Sequence, residues 1–200
     1  MKKVDRRVQK TNQALQKAFQ ELAQGQNYHD ITVKALTEKA QINRKTFYLH
    51  YDSIDDFADM VAHEIAQRLF ASIIETPLDQ SLPVSGYIFD RFFDFFEKSR
   101  QFYTFLMTSN EYSFLARKVE TEVSVQLAKE FNDKYEISRL DAYICANFIC
   151  RNTLTLFRIY HQNSLDIDRS QFKNRLIRLN TTGITTFIAK KSVPKKFLEE

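Results

Sequence analysis

Between Thr32 and His50 the sequence gathers groups that can hold an anion or read a hydrogen-bonding edge. Arg44 and Lys45 are cations, Thr32, Thr46 and Tyr48 carry hydroxyls, Asn43 an amide and His50 an imidazole. Their spacing says what they could do together. On a helix that starts at Asn43, Arg44 and Tyr48 are four residues apart and share one face, with Lys45 alongside and Thr46 and His50 on the flank. Phe47 and Tyr51 share the opposite face and, with Ile42, form an apolar side. A short helix with rings on one side and donors on the other suits a phosphate-lined major groove, which is wide enough for one helix. Arg44 and Lys45 have the reach for guanine edges, whereas Thr46, Tyr48 and His50 suit phosphates. The free N–H groups of a helix starting at Thr32 could meet a further phosphate.

Two local signals position these groups. Thr32 is a good N-cap, and Ile31 before it and Leu36 after it form a hydrophobic staple. The device repeats eleven residues later with Ile42, Asn43 and Phe47. Two capped starts so spaced leave room for one two-turn helix and a tight turn, which is a helix-turn-helix over about 33–52. Ser53 with Asp56 then opens a further helix, its first-turn carboxylates suited to the positive end of the helix dipole.

Charge follows the same division. Residues 1–51 hold ten Lys or Arg against four Asp or Glu, a surplus of six cations, while residues 52–200 carry a net charge of −2. A basic quarter on a near-neutral remainder points to a nucleic-acid partner for the amino-terminal part. The composition excludes a disordered chain, with 44% hydrophobic and 14% aromatic residues. Three Gly and three Pro leave little for the turns of a sheet protein, so the expected fold class is all-α.

Apolar periodicity predicts helices over 4–24, after Thr32, after Asn43, and over 53–75, 84–98, 100–108, 112–134, 138–162 and 169–190, about nine in all. The turn-rich stretch TPLDQSLPVSG separates a head from a body. Cys145 and Cys150, five apart on one helix, point to different faces and read as free thiols. No apolar run reaches membrane-spanning length, which suggests a cytoplasmic protein with no membrane partner. His29, His50, His63 and His161 are dispersed, and no phosphate loop or nucleophile elbow is present. Asp59, His63 and Glu64 are the closest approach to a metal cluster and read as a solvated face. The chain is therefore not expected to be an enzyme or to need a cofactor or metal.

The stretch ITVKALTEKAQINRKTFYLHYDSIDDF resembles the DNA-binding head of the TetR family of bacterial transcriptional regulators, the likeness covering about residues 8–70. Its most specific part is TFYLHY at 46–51, with Ala40 and Ile42 in their expected places. The resemblance implies a head over 1–52, a linking helix over 53–75, and an effector-binding and dimerisation body over 76–200. It implies a homodimer on a near-palindromic operator, with a small molecule tuning DNA affinity, and a repressor as the commonest outcome. It further implies base contacts from Asn43, Arg44 and Lys45 and phosphate contacts from Thr32, Thr46, Tyr48 and His50. The chain departs from the pattern with Gln41 where Gly is usual in the turn, Lys45 where Gly or Ala is common, and Ile54 where a phosphate-binding Lys often stands. The last departure keeps open a helical adaptor that binds a protein partner.

The body is similar to a Gram-positive branch of the family that includes a dihydroxyacetone-kinase activator. Its ring-dense stretch YIFDRFFDFFEKSRQFYTFLM, joined by Phe148 further on, could line an apolar effector cavity, with Phe92, Phe96, Tyr103 and Phe148 as candidates, although core packing is the plainer account of any one ring. For the dimer interface the candidates are Leu140, Ile144 and Phe148 on 138–162 and Phe172, Leu176 and Leu179 on 169–190. Two such helices from each subunit could form a four-helix bundle about a two-fold axis.

Overall fold

The computed structural model describes residues 6–78, 86–98, 101–162 and 168–177. Helices account for nearly all of it: α1 (Arg6–Ala23), α2 (Val33–Lys39), α3 (Arg44–Tyr48), α4 (Ile54–Ile73), α5 (Tyr87–Lys98), α6 (Gln101–Thr108), α7 (Ser113–Tyr135) and α8 (Arg139–Gln162). Residues 169–177 form α9. No strand occurs among the described residues. None of the described helices is long and apolar enough to cross a membrane.

In the head, α2 packs on α1 and α3 packs on α2. The turn between α2 and α3 is closed by the carboxyl end of α2. Gln41 N–H donates to Glu38 O at 3.1 Å and Ile42 N–H to Thr37 O at 2.9 Å. This is a Schellman closure, and it places Gln41 in the left-handed region at φ 56. Ile42 then folds back, partly buried, onto the core. The departure from Gly is therefore absorbed with the turn intact, at the steric cost of a Cβ in that conformation.

In the body, α7 and α8 form an antiparallel hairpin through a three-residue link in which Glu136 is left-handed at φ 50. α4 leaves the head and runs along α7, burying Phe57, Val61, Ile65, Leu69 and Ile73. One continuous core joins the two parts. At the junction, Tyr112 is buried with its ring 5.8 Å from that of Tyr28 and 6.4 Å from that of Phe19, and its hydroxyl donates to Gln26 O at 3.2 Å. Burial pushes its phenol up to about 12.

Several expectations for the body are corrected. Phe172 and Leu176, expected on an exposed association surface, are buried within the chain, because α9 lies against α5 and inserts both into the core. Phe172 packs 5.1 Å from Tyr160 and 6.4 Å from Phe93, and ion pairs from Arg169 to Asp94 and Glu97 and from Lys173 to Asp90 fasten the helix. Leu179 lies outside the described residues. The two cysteines are free thiols, as expected. Both are buried, because α8 is covered on more than one side, and burial pushes the thiols up to about 11 at Cys145 and about 12 at Cys150.

Replacing Gln41 by Gly should stabilise the protein. Relief of the left-handed Cβ is worth about 1–2 kcal/mol and is partly offset by about 0.4–1 kcal/mol of added unfolded-state freedom. Thermal unfolding of Gln41→Gly should show a midpoint about 2–4 °C higher per kcal/mol gained; an unchanged or lower midpoint contradicts the account of this turn.

Candidate nucleic-acid interface

The donor ridge is built from three capped helix starts. Thr32 Oγ1 accepts from Ala35 N–H at 3.1 Å, Asn43 Oδ1 from Lys45 N–H at 2.8 Å, and Ser53 Oγ from Asp56 N–H at 3.0 Å. Asp56 Oδ2 in turn accepts from Asp52 N–H at 3.0 Å, one residue before the cap. Each cap satisfies one orphan N–H and fixes where its helix begins.

Rings set the rotation of α3. Phe47 is wholly buried, its ring 5.4 Å from Tyr51 and 6.2 Å from Phe57, and Phe57 meets Phe19 of α1 edge-on at 5.6 Å. The Tyr51 hydroxyl donates to Asn12 Oδ1 of α1 at 3.1 Å, and burial pushes that phenol up to about 12. With Phe47 and Tyr51 committed inward, the 3.6-residue period turns the rest of the helix out.

The predicted contact residues are found on that outer side. Thr32, Asn43, Arg44, Lys45 and His50 are exposed, Thr46 is half-buried, and Tyr48 is 49% exposed. Arg44 and Lys45 form no ion pair among the described residues, whereas nearby Lys39 is paired with Glu21 at 3.0 Å. Asp55, in the adjoining first turn of α4, accepts from the Tyr28 hydroxyl. Two cations and several donors thus stand together on one short helix, unneutralised among the described residues. Ile54 is half-buried against the core, so this position supplies packing where a cation would have supplied a phosphate contact.

Sequence reasoning missed Leu49. It follows Tyr48 on the outer side and is 79% exposed. Its place at the end of a five-residue helix was the available signal.

The four effector-site candidates do not surround a common space. Phe92 and Phe96 are buried against each other and Phe157, at ring separations of 5.0 to 6.3 Å. Phe148 projects outward from α8 and is 46% exposed. Tyr103 stacks on Phe95 and borders a shallow cleft with Gln16, Gln20, Val61, Glu64 and Phe102. The Asp59, His63 and Glu64 trio is likewise dispersed among partners: His63 meets Glu122 at 2.7 Å, Asp59 pairs with Lys118, and Glu64 accepts from Gln16. Leu140, Ile144 and Phe148, joined by Tyr143, form an exposed apolar stripe along α8, each between 46% and 66% exposed.

Truncating the ring that orients α3 should be costly, and truncating one that α3 displays should not. Phe47→Ala is expected to lose about 3–5 kcal/mol of stability and Tyr48→Ala about 0.5 kcal/mol or less. Denaturant unfolding separates them, and equal losses would contradict this division of faces.

No family profile matches the chain. A stretch of 75 residues is 43% identical to the uncharacterized HTH-type transcriptional regulator YxbF of Bacillus subtilis, covering 37% of this chain and only 19% of that relative. Over most of its length the chain superposes on the fatty acid degradation regulator FadR of Bacillus halodurans, with a TM-score of 0.63 at 15% identity, covering 89% of this chain and 96% of that one. The TetR family repressor AlkX of Dietzia sp. superposes with a TM-score of 0.52 at 14% identity, covering 88% and 96%. At such identities the structural likeness speaks for architecture, and the narrower branch resemblance stays an expectation. The chain therefore shares the all-helical architecture of these two regulators, with a helix-turn-helix near its amino terminus followed by the long helix α4 and the remaining helices.

Proposed function

We propose that the chain is a DNA-binding transcriptional regulator of the TetR type, acting in the cytoplasm as a binding protein and not as an enzyme. The observation that supports this most is the outward ridge of α3, where Arg44, Lys45 and Tyr48 are exposed and the cations have no acidic partner among the described residues. On this reading Asn43, Arg44 and Lys45 meet base edges, and Thr32, Thr46, Tyr48 and His50 hold phosphates. Residues 1–52 serve as the DNA-binding head and 76–200 as the body for dimerisation and effector binding. Both superposed proteins are regulators, one of them a repressor, which favours a repressor whose affinity a small molecule adjusts.

A homodimer fits the exposed stripe of Leu140, Tyr143, Ile144 and Phe148. An apolar stripe on a helix of this length is suited to a second copy of itself about a two-fold axis. Two heads then address half-sites about 34–36 Å apart, which calls for a near-palindromic operator.

Genomic DNA retained by the full-length protein supplies the duplex for a mobility-shift titration. Wild type should bind with an affinity that falls steeply as salt rises, and Arg44→Ala and Tyr48→Ala should each weaken binding by about 1–3 kcal/mol. A folded dimer that binds no genomic fragment, or variants that bind like wild type, would favour the adaptor reading. Sedimentation of Phe148→Glu, a change at an exposed position, should shift the protein toward monomer; an unaltered dimer would place the interface elsewhere.

A further inference from the structure

The head exposes one large aliphatic side chain that its own fold does not use. Every other large apolar residue of the described head is at least half-buried, apart from Tyr48, whose hydroxyl gives it a polar end. Leu49 is 79% exposed, more than any other large apolar residue described. It is not on a stray loop. Leu49 N–H donates to Lys45 O at 3.2 Å, and its backbone is helical at φ −75 and ψ −17. It therefore stands one turn after Lys45 in the same column, beside the column of Arg44 and Tyr48.

We infer that Leu49 determines sequence specificity by packing against the C5-methyl group of a thymine in the major groove; this deepens the DNA-binding reading above and rests on it. The argument is chemical. A duplex offers α3 phosphates, polar base edges and, in the major groove, one kind of exposed apolar group, the thymine methyl. An isobutyl side chain can neither donate to a phosphate nor pair with a base edge. Flanked by a cation and a phenol that fix α3 on the duplex, it reaches the groove without a hydrogen bond to make, and the methyl is the surface it can desolvate favourably. Lys45 on the same column would then address a base within about one helical turn, so that the two side chains read neighbouring positions of a half-site.

The test uses the full-length protein and the duplex selected from random sequence. Thymines are replaced singly by deoxyuridine, which keeps the pairing edge and removes only the methyl. Wild type should lose about fourfold in affinity at one thymine position per half-site, the loss multiplying when both half-sites are changed. Leu49→Ala should bind the thymine duplex more weakly than wild type by a similar factor and should no longer distinguish thymine from deoxyuridine there. Because Leu49 is exposed, the variant's melting temperature should stay at the wild-type value, which separates lost reading from lost folding. Indifference of wild type to every deoxyuridine overturns the inference, as does a Leu49→Ala variant that remains as sensitive as wild type. A folded wild-type protein that selects no duplex, or an Arg44→Ala variant that binds normally, overturns the DNA-binding reading itself and is told apart by that result.

Discussion

Burial of the Phe47 ring governs the amino-terminal part of this molecule. α3 has only five residues, too few to hold itself together or to choose its own rotation. Phe47 supplies both. Its ring is enclosed by Tyr51 and Phe57, and Phe57 bears on Phe19, so the short helix is tied to α1 and α4 together. Once that side chain is fixed, helical geometry leaves no freedom in where Arg44, Lys45 and Tyr48 point. The caps at Thr32 and Asn43 and the closed turn at Gln41 fix the remaining variable, the angle between α2 and α3.

The same packing does not stop at the head. Phe19 contacts Phe102 of α6 at 6.0 Å and Tyr112 at the start of α7, and Tyr28 donates to Asp55 of α4. α4 itself is held to α7 by the His63–Glu122 and Asp59–Lys118 pairs as well as by its buried face. The amino-terminal helices thus pack on both α4 and α6, with a small cleft lined by Gln16, Gln20, Glu64 and Tyr103 beside the ring contacts. A shift of α4 or α6 would have to repack Phe19 and Tyr112, and close-packed interiors transmit such shifts in discrete steps.

The local features were legible in the sequence because they depend on near neighbours. The N-caps, both staples, the inward Phe47 and Tyr51 and the outward donors follow from residue type and a 3.6-residue period. The accommodation at Gln41 was legible as a demand and not as a solution, since closing the turn required the carbonyls of Thr37 and Glu38 to be correctly placed. The body was harder for a different reason. Periodicity shows that a helix has an apolar face but not what covers it. Phe172 and Leu176 read as an association surface, yet the acids at Asp90, Asp94 and Glu97 draw α9 onto its own chain and use that surface internally. Phe148 read as both cavity lining and interface, and its 46% exposure on α8 sets it apart from the buried rings Phe92 and Phe96. Leu49 shares the column of Lys45 by the same period, but it escaped notice because the ridge was read by its hydrogen-bonding groups and an aliphatic side chain has none.

Amide hydrogen exchange of the full-length protein, with and without its retained duplex, tests the central claim most directly. The account requires slowed exchange concentrated in the first turn of α2 and across Asn43 to His50, the segments that face outward together. Protection confined to the α8 stripe, or no protection of α3 under conditions where the duplex is bound, would contradict it.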